Sequence, residues 1–289
     1  MKKIGIIGVG SIGSMITRRL LSSGKVPPNF LHITDRNKAK IAEIRESWPD
    51  ILIEEDATDL ATNTETILIA VPPLELPNVV KQIQLVSLAN KHIISFVGLV
   101  PIAELISVLS SAQVTRAIPS IPSEAGHGIL LLHHSGNVTP ENREFSVNLF
   151  EPLGRVELLT NEKLSGTLGS LTASAPGVVA AIFDEFVNAA VAKSGVSIEQ
   201  ARSVFLYTIQ GIVETLAMQD NDFQKLIDRV ATHGGLTEEG VAVVRRELPG
   251  VLCSIRSAMR NRKDMIDTQI ASQFEELRHT NSETKTGGN

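Results

Sequence analysis

Lys3-Ile4-Gly5-Ile6-Ile7-Gly8-Val9-Gly10-Ser11-Ile12-Gly13-Ser14-Met15-Ile16 opens the chain and decides how the rest is read. A short apolar run predicts a strand. Three glycines in a G-x-G-x-x-G spacing follow it, and a helical pattern continues through Leu20-Leu21. The spacing alone is a weak signal, but between a strand and a helix it is a dinucleotide-binding turn. Gly8 permits the sharp turn, Gly10 lets backbone approach a pyrophosphate, and Gly13 lets the helix pack close to the strand. Ser11, Ile12 and Gly13 then begin a helix whose unpaired N–H groups and positive dipole end suit phosphate.

Outward from this turn, strand and helix patterns alternate. Strands are expected near residues 3–8, 30–34, 51–54, 66–71, 92–97 and 113–118, with helices near 11–23, 37–48, 56–63, 75–89 and 101–110. Two more strands, 128–133 and 154–159, flank a helix at 140–151 that opens on Thr139-Pro140. Such alternation makes βαβ units and a mostly parallel sheet, so residues 1–160 are expected to form an α/β, Rossmann-type dinucleotide-binding domain. From residue 161 strand patterns stop. Helices are expected over 161–194 (kinked or restarted at Pro176), 197–218 after the Ser197 capping box, 221–231, 238–248 and 251–278. That predicts an all-α domain over 161–278 for substrate and dimerisation, and a polar, disordered tail over 279–289.

Composition narrows the partners. Net charge is −5 and no basic stripe is present, which argues against nucleic acid. Seven histidines show no metal-ligand spacing, and the adjacent His133-His134 would point to opposite faces of a strand. A single cysteine, Cys253, fits a reducing cytoplasm. The opening apolar run is read as part of the glycine turn rather than as an export signal. No unbroken stretch of 18 apolar residues occurs, so no membrane span is expected.

Candidate chemistry gathers at strand ends. Asp35 ends the second strand 22 residues past Gly13, where an acid accepts hydrogen bonds from the adenosine ribose of NAD. Arg36 beside it suits the 2′-phosphate of NADP, so the two pull in opposite directions. Ala70-Val71-Pro72-Pro73 ends the fourth strand and offers a rigid apolar loop to a cofactor, or a plain connector. Arg116-Ala117-Ile118-Pro119-Ser120-Ile121-Pro122 ends the sixth, with Ser120 able to face nicotinamide or substrate. Glu124 and His127 follow in a loop where solvated roles are commoner.

These motifs together resemble the pyrroline-5-carboxylate reductase family, from Lys3 to about Arg262. Arg116 to Ser120 is similar to its Arg-x-Met-Pro-Asn motif, and Thr172-Ala173-Ser174-Ala175-Pro176-Gly177 to its Ser-Gly-Ser-Gly-Pro-Ala turn. Thr232-His233-Gly234-Gly235-Leu236-Thr237 is similar to its Ser-Pro-Gly-Gly-Thr-Thr loop. The departures are Ser11 and Ser120 for asparagines, Pro72 for a lysine, alanines at 173 and 175 for glycines, His233 for proline and Leu236 for threonine. They point to a divergent member, comparable to a late-competence protein of Gram-positive bacteria.

The resemblance implies reduction of a cyclic imine to proline by NADP (or NAD) in its reduced form, and a homo-oligomer, at least a dimer. It implies cofactor contacts at Gly8, Gly10, Ser11, Ile12, Gly13, Asp35, Arg36, Ala70, Val71 and Pro72. Substrate contacts would fall at Ser120, Ser174, Gly234 and Gly235, with Thr237 bonding the imine nitrogen; read by itself, Thr237 also serves as a helix cap. Two rivals are a nucleotide-binding regulator without turnover and a β-hydroxyacid dehydrogenase. The second lacks its Lys-x-x-Asn, because Lys163 is followed by Leu164-Ser165-Gly166.

Overall fold

The structure is a computed structural model, and it describes residues 1–286. The chain divides into two units, residues 1–176 with 265–289, and residues 177–264.

The first unit is built on an eight-stranded sheet in the order β3-β2-β1-β4-β5-β6-β7-β8. Its strands are β1 (Ile4–Ile7), β2 (Leu31–Thr34), β3 (Leu52–Ile53), β4 (Thr66–Ile69), β5 (His92–Ser95), β6 (Gln113–Ile118), β7 (Gly128–His134) and β8 (Gly154–Leu158). All expected strands are present. Every pairing is parallel except β6 with β7. The loop from Pro119 to His127, with its 3-10 turn Ile121–Ala125, is too short for a crossover and returns the chain antiparallel.

Helices α1 (Ser11–Ser22), α2 (Lys38–Ser47), α3 (Ala57–Asn63), α4 (Leu76–Ile83), α5 (Ile102–Val108) and α6 (Pro140–Phe150) connect the strands. Consecutive strand residues face opposite sides, so apolar runs feed two cores. Ile6, Leu68 and Ile94 join Ile16, Leu20 and Phe150 on one side. Ile7, Ile67, Ile69 and Ile93 join Leu60, Val80 and Leu105 on the other.

From Leu164 to Val191 the chain is one helical rod: α7 (Leu164–Gly169), a π-helical segment (Ser170–Ser174), and α8 (Ala175–Val191). Pro176 therefore neither breaks nor restarts the helix. The wider turn immediately before it accommodates the ring and the missing N–H. This rod is long and apolar enough to cross a membrane by length and composition, with a mean hydropathy of 1.4 in its most apolar window. The expectation that no such segment exists is corrected on that count. Its character comes from alanines and glycines interspersed with large apolar residues, which a search for an unbroken apolar run passes over.

The second unit continues with α9 (Ile198–Ala217), α10 (Phe223–Val230) and the start of α11 (Leu236–Thr286). Ser197 caps α9, accepting the N–H of Gln200 at 3.2 Å, and Asp222 caps α10. Of the unit's apolar side chains, only Val187 and Leu216 are buried, while Phe186, Val204, Leu206, Tyr207, Val213 and Phe223 are exposed.

Four expectations need correction. The units divide at Pro176 rather than at residue 160. The two final helices are one, because Pro249 lies inside a continuous α11 that enters it from the strong helix formers Arg245, Arg246, Glu247 and Leu248. And the C-terminal stretch of α11 belongs to the first unit: Ile270, Phe274 and Leu277 are buried in its core, and Arg278 pairs with Glu104 at 2.5 Å. Helix continues to Thr286, so the disordered tail does not begin at 279; the last three residues lie outside those described.

Candidate active site

The glycine turn matches its physical requirements one residue at a time. Gly8 has φ +91°, and a Cβ there would meet the carbonyl oxygen of Ala70 at 2.7 Å. Its N–H is bound to Thr34 O at 2.9 Å, so β1, β2 and β4 converge on it. A Cβ on Gly13 would sit 1.9 Å from Gly8 O, which forces glycine where α1 leaves the turn. Gly10 differs: nothing lies within 4 Å of its Cβ position. The backbone is bare at the one point where a pyrophosphate has to approach.

Gly10 is also the N-cap of α1, with no side chain bonding the freed N–H groups and no acid in the first turn. By contrast Asn37, Asp56, Thr139, Ser197 and Asp222 each cap a helix with a side-chain oxygen. An uncapped helix start beside an open glycine has the donors and dipole for a diphosphate. Ser11 is exposed and Ile12 half-buried at this turn. A cleft of about 550 Å³ continues from it along α1, lined by Ser11, Ser14, Arg18, Lys40, Glu43 and Glu124 among others. The residues fit a dinucleotide.

The pair that follows the second strand is engaged within the protein. The Asp35 carboxylate accepts from Val9 N and Asn37 N, both at 2.7 Å. It ties the glycine turn to the start of α2. Arg36 is 83% exposed and pairs with Glu75 at 2.9 Å. Glu75 closes the 3-10 turn Pro73–Glu75, which follows the half-buried Ala70 and Val71 and the exposed Pro72.

Ser120 needs correction. It is 3% exposed, and its hydroxyl accepts Ile129 N at 2.9 Å, which pins β7 to the end of β6. Its neighbour Arg116, quoted in the sequence without a role, is the side chain that gathers this edge. Arg116 donates to Glu162 at 2.8 Å, to Ser165 at 3.0 Å and to the Gly98 carbonyl. Glu162 also accepts Ile102 N at 2.7 Å, so one half-buried ion pair fixes the starts of α5 and α7. No local pattern marked Glu162, because its partner is 46 positions away. Ser174 is half-buried in the π segment, and Glu124 and His127 are exposed.

Across β5, β6 and β7, His92, Thr115 and His134 form a chain of contacts at 2.7 and 2.8 Å. Burial, with His134 and Lys2 nearby, lowers the His92 pKa to about 3. Burial, with Arg143 and His133, lowers that of His134 to about 4. Both rings are neutral and structural. Among the described residues no cluster suits a metal ion.

In the second unit, the loop before α11 is shaped by two glycines. Gly234 has φ +73° and donates its N–H to Glu238 Oε2 at 2.7 Å. That amide is therefore occupied by the protein's own carboxylate, which corrects its expected availability to a substrate. Gly235 N bonds Thr232 O at 2.9 Å. Thr237 is exposed and lies one residue inside the helix, past the capping position.

Comparison with known proteins agrees with this architecture. A family model described as NADP oxidoreductase, coenzyme F420-dependent, matches residues 3–98, and one described as pyrroline-5-carboxylate reductase dimerisation matches 162–265. Pyrroline-5-carboxylate reductase 3 of Bacillus subtilis is 31% identical over 274 residues, 94% of this chain and 100% of that protein. ComE operon protein 4 of the same organism is 25% identical, over 83% of this chain and 87% of that protein. The NADP-bound pyrroline carboxylate reductase of Plasmodium falciparum shares the fold, with a TM-score of 0.77, 21% identity, and coverage of 94% of this chain and 98% of that one.

Proposed function

Since the chain belongs to the pyrroline-5-carboxylate reductase family, we propose that it reduces 1-pyrroline-5-carboxylate to proline. The observation that carries the reading is the glycine turn, closed around Gly8 and Gly13 and open at Gly10. Bound there, NADPH or NADH supplies the hydride. The N–H groups of Ser11, Ile12 and Gly13 hold the diphosphate, and Ala70, Val71 and Pro72 pack beside the cofactor. Reduction of the imine places a hydride on carbon and a proton on nitrogen. Thr237 is assigned to hold that nitrogen through its hydroxyl. The free N–H groups of Leu236 and Thr237 at the start of α11, with Ser174, are assigned to the carboxylate; the Gly235 N–H, like that of Gly234, is already bonded within the loop.

The working form is assigned as a homo-oligomer, at least a dimer. The second unit leaves large apolar side chains of α8 and α9 exposed, and the match to a dimerisation domain covers both helices. A second copy covering the rod Leu164–Val191 accounts for its apolar character without a membrane. The reaction is assigned to the cytoplasm, in keeping with one exposed cysteine, Cys253.

The experiment is NAD(P)H oxidation with 1-pyrroline-5-carboxylate, run with each cofactor and followed by product analysis. Proline formed in step with cofactor oxidation supports the reading. Tight cofactor binding with no turnover would instead support a nucleotide-binding regulatory protein.

A further inference from the structure

Arg36, which follows Asp35 at the end of the second strand, is the cation assigned to a phosphate on the adenosine ribose, and it is already engaged. Its guanidinium lies 2.9 Å from a Glu75 oxygen while remaining 83% exposed. Glu75 occupies the N-cap position of α4, yet its carboxylate makes no capping bond there. It has left the helix end that an acid ordinarily serves and turned to Arg36. Its own placement is firm: prolines at 72 and 73 fix the turn, and Glu75 N bonds Pro72 O at 2.9 Å. Asp35 does not compete for Arg36, since its two oxygens are held by Val9 N and Asn37 N.

We infer that Glu75 is a specificity residue, which sets the balance between NADPH and NADH by neutralising Arg36. A 2′-phosphate carries a charge of about −1.5 to −2, and to reach Arg36 it must displace the carboxylate or lie beside it. An unphosphorylated ribose meets neither cost. The ion pair thus discounts the phosphorylated cofactor and leaves the other untouched. Glu75 was invisible in the sequence, because nothing in Pro-Pro-Leu-Glu says that its carboxylate reaches back to the second strand.

The inference rests on the glycine turn as the cofactor site, and the test separates the two. Affinities for NADPH and NADH are measured by fluorescence titration for the parent, Glu75→Gln, Arg36→Ala and the double variant. Glu75→Gln keeps size and removes charge, so NADPH affinity is expected to rise roughly three- to tenfold, with NADH changing less than about twofold. The gain is expected to shrink in high salt. In the Arg36→Ala background it is expected to vanish. Equal shifts for both cofactors, no shift, or the same gain without Arg36 would overturn the inference. Failure of the parent to bind either cofactor would overturn the cofactor reading itself.

Discussion

Gly10 and Gly13 are three residues apart and meet opposite surroundings, which makes them a matched pair of probes. Gly10→Val places a side chain in open space, so the fold is expected to keep its melting temperature while NAD(P)H binding falls at least tenfold. Gly13→Ala drives a methyl into Gly8 O and is expected to lower stability instead. Titration and thermal melts on both variants decide the matter; unchanged affinity in Gly10→Val would remove the turn from the cofactor site. Thr237→Val removes a hydroxyl and keeps the shape. If that hydroxyl acts on the transition state, kcat falls by about ten- to a thousandfold, with a smaller change in apparent affinity. Thr237 lies inside α11, past its cap, so the melting temperature should barely move. Full activity in that variant would dismiss its catalytic role.

Elements pose different questions, because a helix or strand is held by partners far along the chain. The His92–Thr115–His134 chain ties β5, β6 and β7 together with neutral rings. Both histidines titrate near 6.5 when unfolded and well below that when folded. The unfolded state therefore binds more protons between those values, and stability falls as pH drops below 6.5, by up to about 1.4 kcal/mol per pH unit from the buried His92 and by less from the more solvated His134. Denaturation at pH 7, 6 and 5 should show this slope, and His92→Gln should reduce it; parallel curves would rule the network out as the acid-sensitive element. Phe274, from the end of α11, is completely buried in the core of the first unit. Phe274→Ala is expected to cost about 3–5 kcal/mol, read as a lower denaturation midpoint. A loss under about 1 kcal/mol would mean that this stretch merely rests on the surface.

Periodicity and glycine spacing announced every strand, the cap at Ser197 and the cofactor turn, since each is a local rule written in neighbouring residues. Ile266, Ile270, Phe274 and Leu277 also follow a helical stripe, so an apolar face was predictable. Its destination was not, because the core it enters was made some two hundred residues earlier. The same distance hid Glu75 behind Arg36 and Glu162 behind Arg116. Pro249 misled for the opposite reason: a local breaker sits inside a helix that runs on through it.

For the molecule entire, the second unit raises a question of concentration. With Val187 and Leu216 its only buried apolar side chains, it has too little interior to order 88 residues alone. Light scattering is expected to give at least twice the 31.2 kDa chain mass at micromolar concentration. The melting temperature should rise with protein concentration, as coupled folding and association require. A monomer with a concentration-independent transition would defeat the homo-oligomer assignment.

The return of α11 to the first unit also sets an order of events at the ribosome. Residues 1–176 emerge with every strand of the sheet, but the cluster around Leu60, Val80 and Leu105 lacks Ile270, Phe274 and Leu277. At typical synthesis rates the interval between residue 176 and residue 270 is on the order of 5–20 s. Throughout it the nascent sheet carries an open apolar seam, the kind of surface that chaperones hold. A message cut short before Ile270 would yield a protein with its glycine turn complete and that seam never closed.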